Sequence, residues 1–302
     1  MKVFCCILLS MMFISCDYIF DLDAFTPNEL VEDDYRLFKG TPAWELAKAT
    51  RAGNINKMEV IIKESPDLVN YQEPKYGQTL LMLTILNQQY KPFKNLLNNN
   101  ADVNIHDYYD GSSAIIKSVE YPWSNIRFVD ALVSKGANIN DIEIGERRVG
   151  NSTRKSVLIA AVSSGKIDLI KYIISKGANI NYYNEFGQSA FSKAIMLGKY
   201  EIGYLLLQNG ADYTRPIFFR PDYSIPSEQI DSLEKGEPVY LVNSLKEDFV
   251  DFRLPEYKYK MKIVQFLQKR GVDYWNVTVP EFIQERMKKE HPDNWQEYIK
   301  KY

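Results

Sequence analysis

Gly165-Lys-Ile-Asp-Leu-Ile-Lys-Tyr-Ile-Ile-Ser-Lys-Gly-Ala-Asn-Ile-Asn181 aligns with Gly198-Lys-Tyr-Glu-Ile-Gly-Tyr-Leu-Leu-Leu-Gln-Asn-Gly-Ala-Asp212. Gly165 meets Gly198, Gly177 meets Gly210 and Ala178 meets Ala211, each at an offset of 33 residues. The same ending returns as Leu96-Leu-Asn-Asn-Asn-Ala-Asp-Val-Asn104 and Leu132-Val-Ser-Lys-Gly-Ala-Asn-Ile-Asn140, with a weaker copy at Phe266-Leu-Gln-Lys-Arg-Gly-Val-Asp-Tyr274. A fixed period of this length is the mark of a repeat array, in which each unit buries its apolar side only against its neighbours.

Within one period the pattern reads helix, tight turn, helix, extended loop. Leu158, Ala161 and Val162 stand at helical spacing, Gly165 supplies the turn, and Leu169, Ile170, Ile173 and Ile174 form the stripe of a second helix. Gly177 ends it where a left-handed backbone suits glycine, and Asn100 takes that place in another copy. Small side chains at Ala160, Ala161, Ala194, Ala178 and Ala211 let neighbouring helices approach closely.

These residues resemble the ankyrin repeat, whose pattern runs Gly-x-Thr-Pro-Leu, two alanines, a Gly turn, a Leu-Leu pair and Gly-Ala-Asp-x-Asn. Gly77-Gln-Thr-Leu-Leu, Gly111-Ser-Ser-Ala-Ile and Gly187-Gln-Ser-Ala-Phe open three copies. Thr-Pro is kept only at Thr41-Pro42, and the family's histidine near the start of the first helix is absent. That histidine supports loop hydrogen bonding, so its loss predicts less regular loops. The expected fold is an all-α solenoid with ankyrin-like repeats over 41–213, a Pro- and aromatic-rich insertion over 214–236, a divergent sixth repeat over 237–274 and a helical cap over 275–302. Thr41 is expected to cap the first helix, and Thr278-Val-Pro-Glu281 reads as a capping box.

The amino-terminal end carries an address. Met1-Lys2 precedes an apolar run from Val3 to Ile14, then Ser15-Cys16-Asp17. A spanning helix needs roughly 20 apolar residues, more than this run offers. Phe13-Ile14-Ser15-Cys16 resembles the lipobox of bacterial lipoproteins, which implies a signal peptide over 1–15 and acyl chains on Cys16. Two alternatives stand: an ordinary secretory signal whose cysteine is incidental, and an uncleaved anchor. Residues 16–40, acidic up to the first basic residue Arg36, read as a tether, part of which can lie along the folded body.

Composition narrows the function. The 302 residues hold 37 Lys+Arg against 39 Asp+Glu, a net charge of -2 that offers no basic face for nucleic acid. Two histidines, His106 and His291, and three cysteines confined to the first sixteen residues leave little for a metal site or a disulfide framework. No Cys-x-x-Cys, His-Glu-x-x-His or Gly-x-Ser-x-Gly occurs, and Gly150-Asn-Ser-Thr-Arg-Lys-Ser156 lacks the second glycine of a phosphate loop. Neither a catalytic set nor a cofactor is expected.

A binding surface remains. By the resemblance, ankyrin arrays bind proteins with loop tips and the inner face of the first helices. The tips are aromatic: Tyr71, Tyr76, Tyr108, Tyr109, Tyr182, Tyr183 and Phe186. They read equally as contact residues and as a row packing against itself. Lys48, Arg51, Leu83, Leu86, Lys117, Glu120, Ser163, Lys193 and Met196 are expected on the inner face, a mixed chemistry that suits a protein partner rather than a polyanion. The expectation is therefore a non-enzymatic lipoprotein, lipid-anchored in the bacterial cell envelope and facing the periplasm, with the cell surface as the alternative, in a scaffold, inhibitor or immunity-type role. The competing classes are an envelope enzyme with a pocket built by residues 214–260, and a structural envelope protein.

Overall fold

The 33-residue period folds as successive helix pairs. The computed structural model describes residues 30–146, 154–220 and 236–302. The lipobox with Cys16, the proposed signal peptide and most of the Pro-rich insertion lie outside the described residues. The pairs are α1 (Trp44–Arg51) with α2 (Ile55–Glu64), α3 (Leu80–Leu86) with α4 (Tyr90–Asn98), α5 (Ala114–Glu120) with α6 (Ile126–Ser134), α7 (Val157–Ser164) with α8 (Ile167–Ser175), and α9 (Ala190–Met196) with α10 (Tyr200–Gln208). A short antiparallel pair, β1 (Phe218–Phe219) and β2 (Pro238–Val239), leads into α11 (Leu241–Glu247) and α12 (Pro255–Gln268). The chain ends in α13 (Glu281–Glu290) and α14 (Trp295–Lys300).

First helices stack on first helices in the order α1, α3, α5, α7, α9, α11, while α2 packs on α4 and α10 on both α8 and α12. Each helix from α1 to α11 is only two or three turns long. Such helices are unstable alone, so their order comes from the apolar seam they share. Leu96, Leu132, Ile173 and Leu206 are fully buried in one continuous core that runs from Leu30 to Tyr274. The alanines of the first helices, Ala160, Ala161 and Ala194, have no exposed surface and set the close spacing. Phe93 and Phe128 bridge α4 and α6, with ring centroids 4.8 Å apart. The fold is an ankyrin-like helical solenoid.

Caps follow the local chemistry. Thr79, Ser156 and Ser189 accept from the backbone N–H three residues on, at the N-termini of α3, α7 and α9. Asn100 adopts φ 62°, in the left-handed region that Gly136, Gly177 and Gly210 occupy in the other copies. Two expected caps are absent. Thr41 instead donates its hydroxyl to the Phe38 carbonyl (2.7 Å), and α1 starts later, at Trp44. Helix α13 starts at Glu281 with Pro280 as its N-cap: the proline keeps an extended backbone (ψ 146°), so the helix begins only after it and Thr278 lies two residues ahead of the cap.

The last residues of the acidic segment are folded. Asp34 caps a 3-10 turn, Tyr35–Phe38, and Leu30, Tyr35, Leu37 and Phe38 are buried against the first repeat. At the other end, Phe249, Val279, Ile283, Met287, Tyr298 and Tyr302 form a separate small core over the last helices. Among the described residues, no helix is long and apolar enough to cross a membrane.

Candidate protein-interaction face

The loops between repeats fold into short two-stranded fingers. Bridges pair Gln72 with Thr79, His106 with Ser113 and Ile142 with Ser156. Neighbouring fingers are hydrogen-bonded edge to edge. The Tyr108 N–H donates to the Tyr76 carbonyl (2.7 Å), the Ile144 N–H to the Gly111 carbonyl and the Gly145 N–H to the Asp110 carbonyl (both 3.1 Å). Gln72 spans the gap with its side-chain amide, which donates to the carbonyls of Gly77 and His106 (both 2.8 Å).

The absent histidine does not leave these loops irregular. Three of the inter-repeat loops are organised by a buried acceptor just ahead of a glycine. Glu73 accepts from the backbone N–H groups of Lys75, Tyr76 and Gln78. Asp107 accepts from those of Tyr109, Asp110 and Gly111, and Asn184 from those of Phe186 and Gln188. A carboxylate or amide oxygen with two or three N–H donors satisfies a turn that has no ladder of its own. The recurrence of Glu, Asp and Asn four or three residues before Gly77, Gly111 and Gly187 was the sequence signal for it.

Gly111 is where two fingers come closest. It has φ 66°, and a Cβ there would sit 2.0 Å from the Gly145 backbone nitrogen. Gly111→Ala is expected to cost about 3 kcal/mol, through a strained left-handed backbone and the lost inter-finger hydrogen bonds. In a thermal melt this lowers the midpoint by roughly 10 °C. An unchanged midpoint would show that the fingers are not joined there.

A second row holds the opposite side of each loop. Asn140 accepts from the Asn179 N–H (2.6 Å) and donates to the Gly177 carbonyl (3.1 Å). One period on, Asn181 accepts from the Asp212 N–H (2.9 Å) and donates to the Gly210 carbonyl (3.0 Å). The final asparagine of Gly-Ala-Asn-x-Asn is thus a clamp on the next repeat. Asn181→Ala is expected to cost about 1–2 kcal/mol and to speed hydrogen exchange in α10 more than in α7.

Electrostatics concentrate on the side formed by fingers and first helices. Lys117 is buried between Asp107 (2.9 Å) and Glu32 (3.1 Å). Burial pulls its pKa down, but the two carboxylates outweigh this and hold it above the ordinary lysine value. Lys155 lies between Glu120 and Glu143, again with a raised pKa after burial is overcome by its two anions. Lys193 is not fully compensated: burial, then the charge of Lys155, outweigh the opposing pull of Glu120 and Glu143 and lower it to about 8. His106 and Ser113 both bond to Asp141. The carboxylate therefore lies between them, and the hydroxyl is not addressed by the imidazole as a nucleophile would be. The Asp141 hydrogen bond also raises the His106 pKa.

The predicted contact residues divide. Tyr108, Tyr109 and Phe186 are 55%, 45% and 39% exposed at the finger tips. Tyr71 packs near Phe38 (6.3 Å), the Tyr76 hydroxyl donates to the Leu30 carbonyl (3.0 Å) and the Tyr182 hydroxyl to the Arg154 carbonyl (3.0 Å), while Tyr183 lies under Arg215 (4.3 Å). These four are half-buried and serve the row itself. Lys48 is exposed, paired with Glu45. Lys117, expected on the surface, is instead internal, because a folded segment ahead of the repeats reaches over it. Leu83 is likewise fully buried and Leu86 nearly so, since α3 is enclosed on all sides. The reading of the sequence missed Glu32 and the Tyr121–Trp123 stack (4.9 Å), which places a half-exposed indole beside the inner face.

At the far end, a cleft of 790 Å³ is lined by Ile195, Met196, Leu197, Phe218, Glu247, Asp248 and Phe282, among others. Its two carboxylates are committed elsewhere: Asp248 accepts from the Tyr200 hydroxyl and Glu247 pairs with Arg220. They do not converge on a common point in the cleft.

Comparison with known proteins agrees with this geometry. Residues 125–217 match the family model for ankyrin repeats (3 copies). An ankyrin repeat protein of Acanthamoeba polyphaga mimivirus is 33% identical over 84 residues, covering 28% of this chain and 50% of that protein. The matched stretch thus spans about half the length of the relative. With helix pairs stacked through one core, fingers bonded edge to edge and Gly-Ala-Asx turns clamped by asparagine, residues 125–217 carry ankyrin repeats, and the helix pairs before them continue the same stack.

Proposed function

We propose that this chain is a non-enzymatic binding protein that holds a protein partner on its fingers and first helices, anchored by lipid on Cys16 in a bacterial cell envelope. The observation that carries the reading is the row of fingers. It is made rigid by backbone bonds between repeats, yet it presents Tyr108, Tyr109 and Phe186 outward. Large aromatic side chains on a pre-organised frame give contact area at small entropic cost. The anchor rests on the sequence Phe13-Ile14-Ser15-Cys16. Two acyl chains or more on that cysteine give durable membrane attachment. A scaffold, inhibitor or immunity-type role fits a surface of this kind.

The test is crosslinking in native cells followed by mass spectrometry, comparing the unmodified chain with a combined Tyr108→Ser, Tyr109→Ser, Phe186→Ser variant. Capture of one stoichiometric partner is expected to fall at least tenfold while the thermal midpoint stays within about 2 °C, since exposed substitutions change stability little. Equal capture by both proteins would reject the finger surface. Cys16→Ser is expected to move the chain from the membrane to the soluble fraction, and retention in the membrane would reject the lipid anchor.

A further inference from the structure

The inner face of repeats two and three already holds a piece of chain. Residues 30–34 lie across it as a strap. The Glu32 carboxylate accepts from Lys117 Nζ (3.1 Å), the Tyr121 hydroxyl (3.1 Å) and Gln78 Nε2 (3.5 Å). The strap's main chain is held just as specifically. The Leu30 carbonyl accepts from Lys75 Nζ (2.9 Å) and the Tyr76 hydroxyl (3.0 Å), and the Asp33 carbonyl from Asn87 Nδ2 (2.8 Å).

These donors come from one finger (Lys75, Tyr76 and Gln78) and from two first helices with their C-terminal caps (Asn87 after α3, Lys117 in α5 and Tyr121 after it), and they read two things only: an extended backbone and one carboxylate. The middle of the strap adds little burial, with Val31 63% exposed and Asp33 exposed as well. Its apolar anchors lie at its ends, at Leu30 and at Tyr35–Phe38. If the strap lifted, Asp107 would still hold Lys117 protonated, so the site would keep an ammonium with N–H groups to donate. Tyr121, which donates to Glu32, carries Trp123 stacked on its other face, and that indole is 52% exposed. A carboxylate socket beside an aromatic shelf is larger than the strap requires.

We infer that this socket is a binding site for an extended acidic segment of a protein partner, with a partner Asp or Glu taking the place of Glu32 and the strap acting as its resident intramolecular occupant. This rests on the protein-binding reading above and gives it a partner class. A tethered occupant competes at an effective concentration in the millimolar range. A partner therefore sees an affinity reduced by the fraction of chains whose strap is open. An acidic segment that also engages Trp123 or the finger tips gains contacts that the strap lacks.

The probe is a fluorescent peptide with the sequence of residues 28–36, Asn-Glu-Leu-Val-Glu-Asp-Asp-Tyr-Arg, and a second peptide bearing Glu32→Gln. Both are titrated by anisotropy onto the full chain and onto its Glu32→Lys variant, which sets the strap against Lys117. The variant is expected to bind the first peptide at least tenfold more tightly than the unmodified chain does. The Gln peptide is expected to bind the variant at least tenfold more weakly than the Glu peptide. Tyr121→Phe, which keeps the ring, is expected to weaken binding several-fold. Equal binding by variant and unmodified chain, or equal binding of the two peptides, overturns the socket.

A second measurement uses the unmodified chain alone. Millimolar Glu peptide is expected to speed hydrogen exchange at residues 30–34 and to leave 36–38 unchanged; no change at 30–34 overturns the proposal. Loss of the native crosslinked partner with peptide binding intact would remove the protein-binding reading. The reverse would remove the acidic-segment assignment only.

Discussion

Lys117→Met is expected to destabilise the chain by about 3–5 kcal/mol, because breaking a buried ion pair by removing one partner leaves the other charge uncompensated. Methionine keeps the length of the side chain and fills the space, so the loss is one of charge. Asp107 has 1% of its side chain exposed, and one of its oxygens is already occupied by three backbone N–H donors. The other oxygen faces Lys117 Nζ at 2.9 Å. Without the ammonium, that oxygen is left buried with its charge uncompensated, on the very carboxylate that organises the second finger. Glu32 loses its cation too, but it is partly exposed and can turn to water. Urea denaturation of the unmodified chain, Lys117→Met and the double variant Lys117→Met, Asp107→Asn measures the effect. The double variant is expected to recover much of the loss, since a neutral amide no longer needs a counter-charge. A single-variant loss below about 1 kcal/mol, the range of exposed pairs, would mean that water reaches the pair.

Stability is expected to rise with pH above neutrality, opposite to the usual fall beyond pH 8. Lys260 has no exposed surface; burial, opposed by the charge of Asp248, lowers its pKa to about 7. Lys246 and Lys193 are lowered to about 8, by burial in both and in Lys193 also by Lys155. An unfolded lysine keeps its proton up to about 10.5, whereas folded Lys260 sheds it above about 7. Between these limits the unfolded chain binds more protons, so stability climbs, by up to about 1.4 kcal/mol per pH unit for one proton.

Two limbs oppose the climb. His106, raised by its bond to Asp141, contributes stability that is complete below about 6.5 and lost as pH rises through its folded value. The buried tyrosines Tyr200, Tyr121 and Tyr274, all raised chiefly by burial, keep their protons in the fold after the unfolded chain ionises near 10, so stability turns down there. Equilibrium unfolding from pH 6 to 10.5 is expected to show a maximum between about 9 and 10. Lys260→Met removes most of the slope between about pH 7 and 8 and about a third of it above that, and is the more stable protein at pH 7. Identical slopes in both proteins would show that Lys260 is charged and solvated in the fold.

How much was legible follows from the reach of each signal. The helix pairs were legible because an apolar stripe, a turn residue and an Ala-Asx loop ending recur once per repeat, at spacings of 33 to 41 residues between Ala101, Ala137, Ala178 and Ala211, and these are local demands. Asn100 in place of glycine was legible for the same reason, since only the backbone angle matters there. The aromatic tips were legible as a group but not by role. Tyr108 and Tyr76 follow the same loop pattern, yet one is exposed and the other bonds to a segment about 46 residues earlier in the chain. The first-helix cap at Thr41 failed because Pro42 and the turn before it bind the threonine to Phe38 instead.

By itself, then, the sequence determined the repeat, its two-helix content and the stacking that a shared apolar stripe enforces, because each is set by side-chain size and backbone angle within one period. Only the tertiary structure decided that Lys117 is internal, that Glu32 reaches it from 85 residues away and that the fingers are bonded to one another. Charges pair, and edges meet, according to which surfaces stacking brings together. A lysine on a short helix carries no mark of whether an acidic strap will cross it.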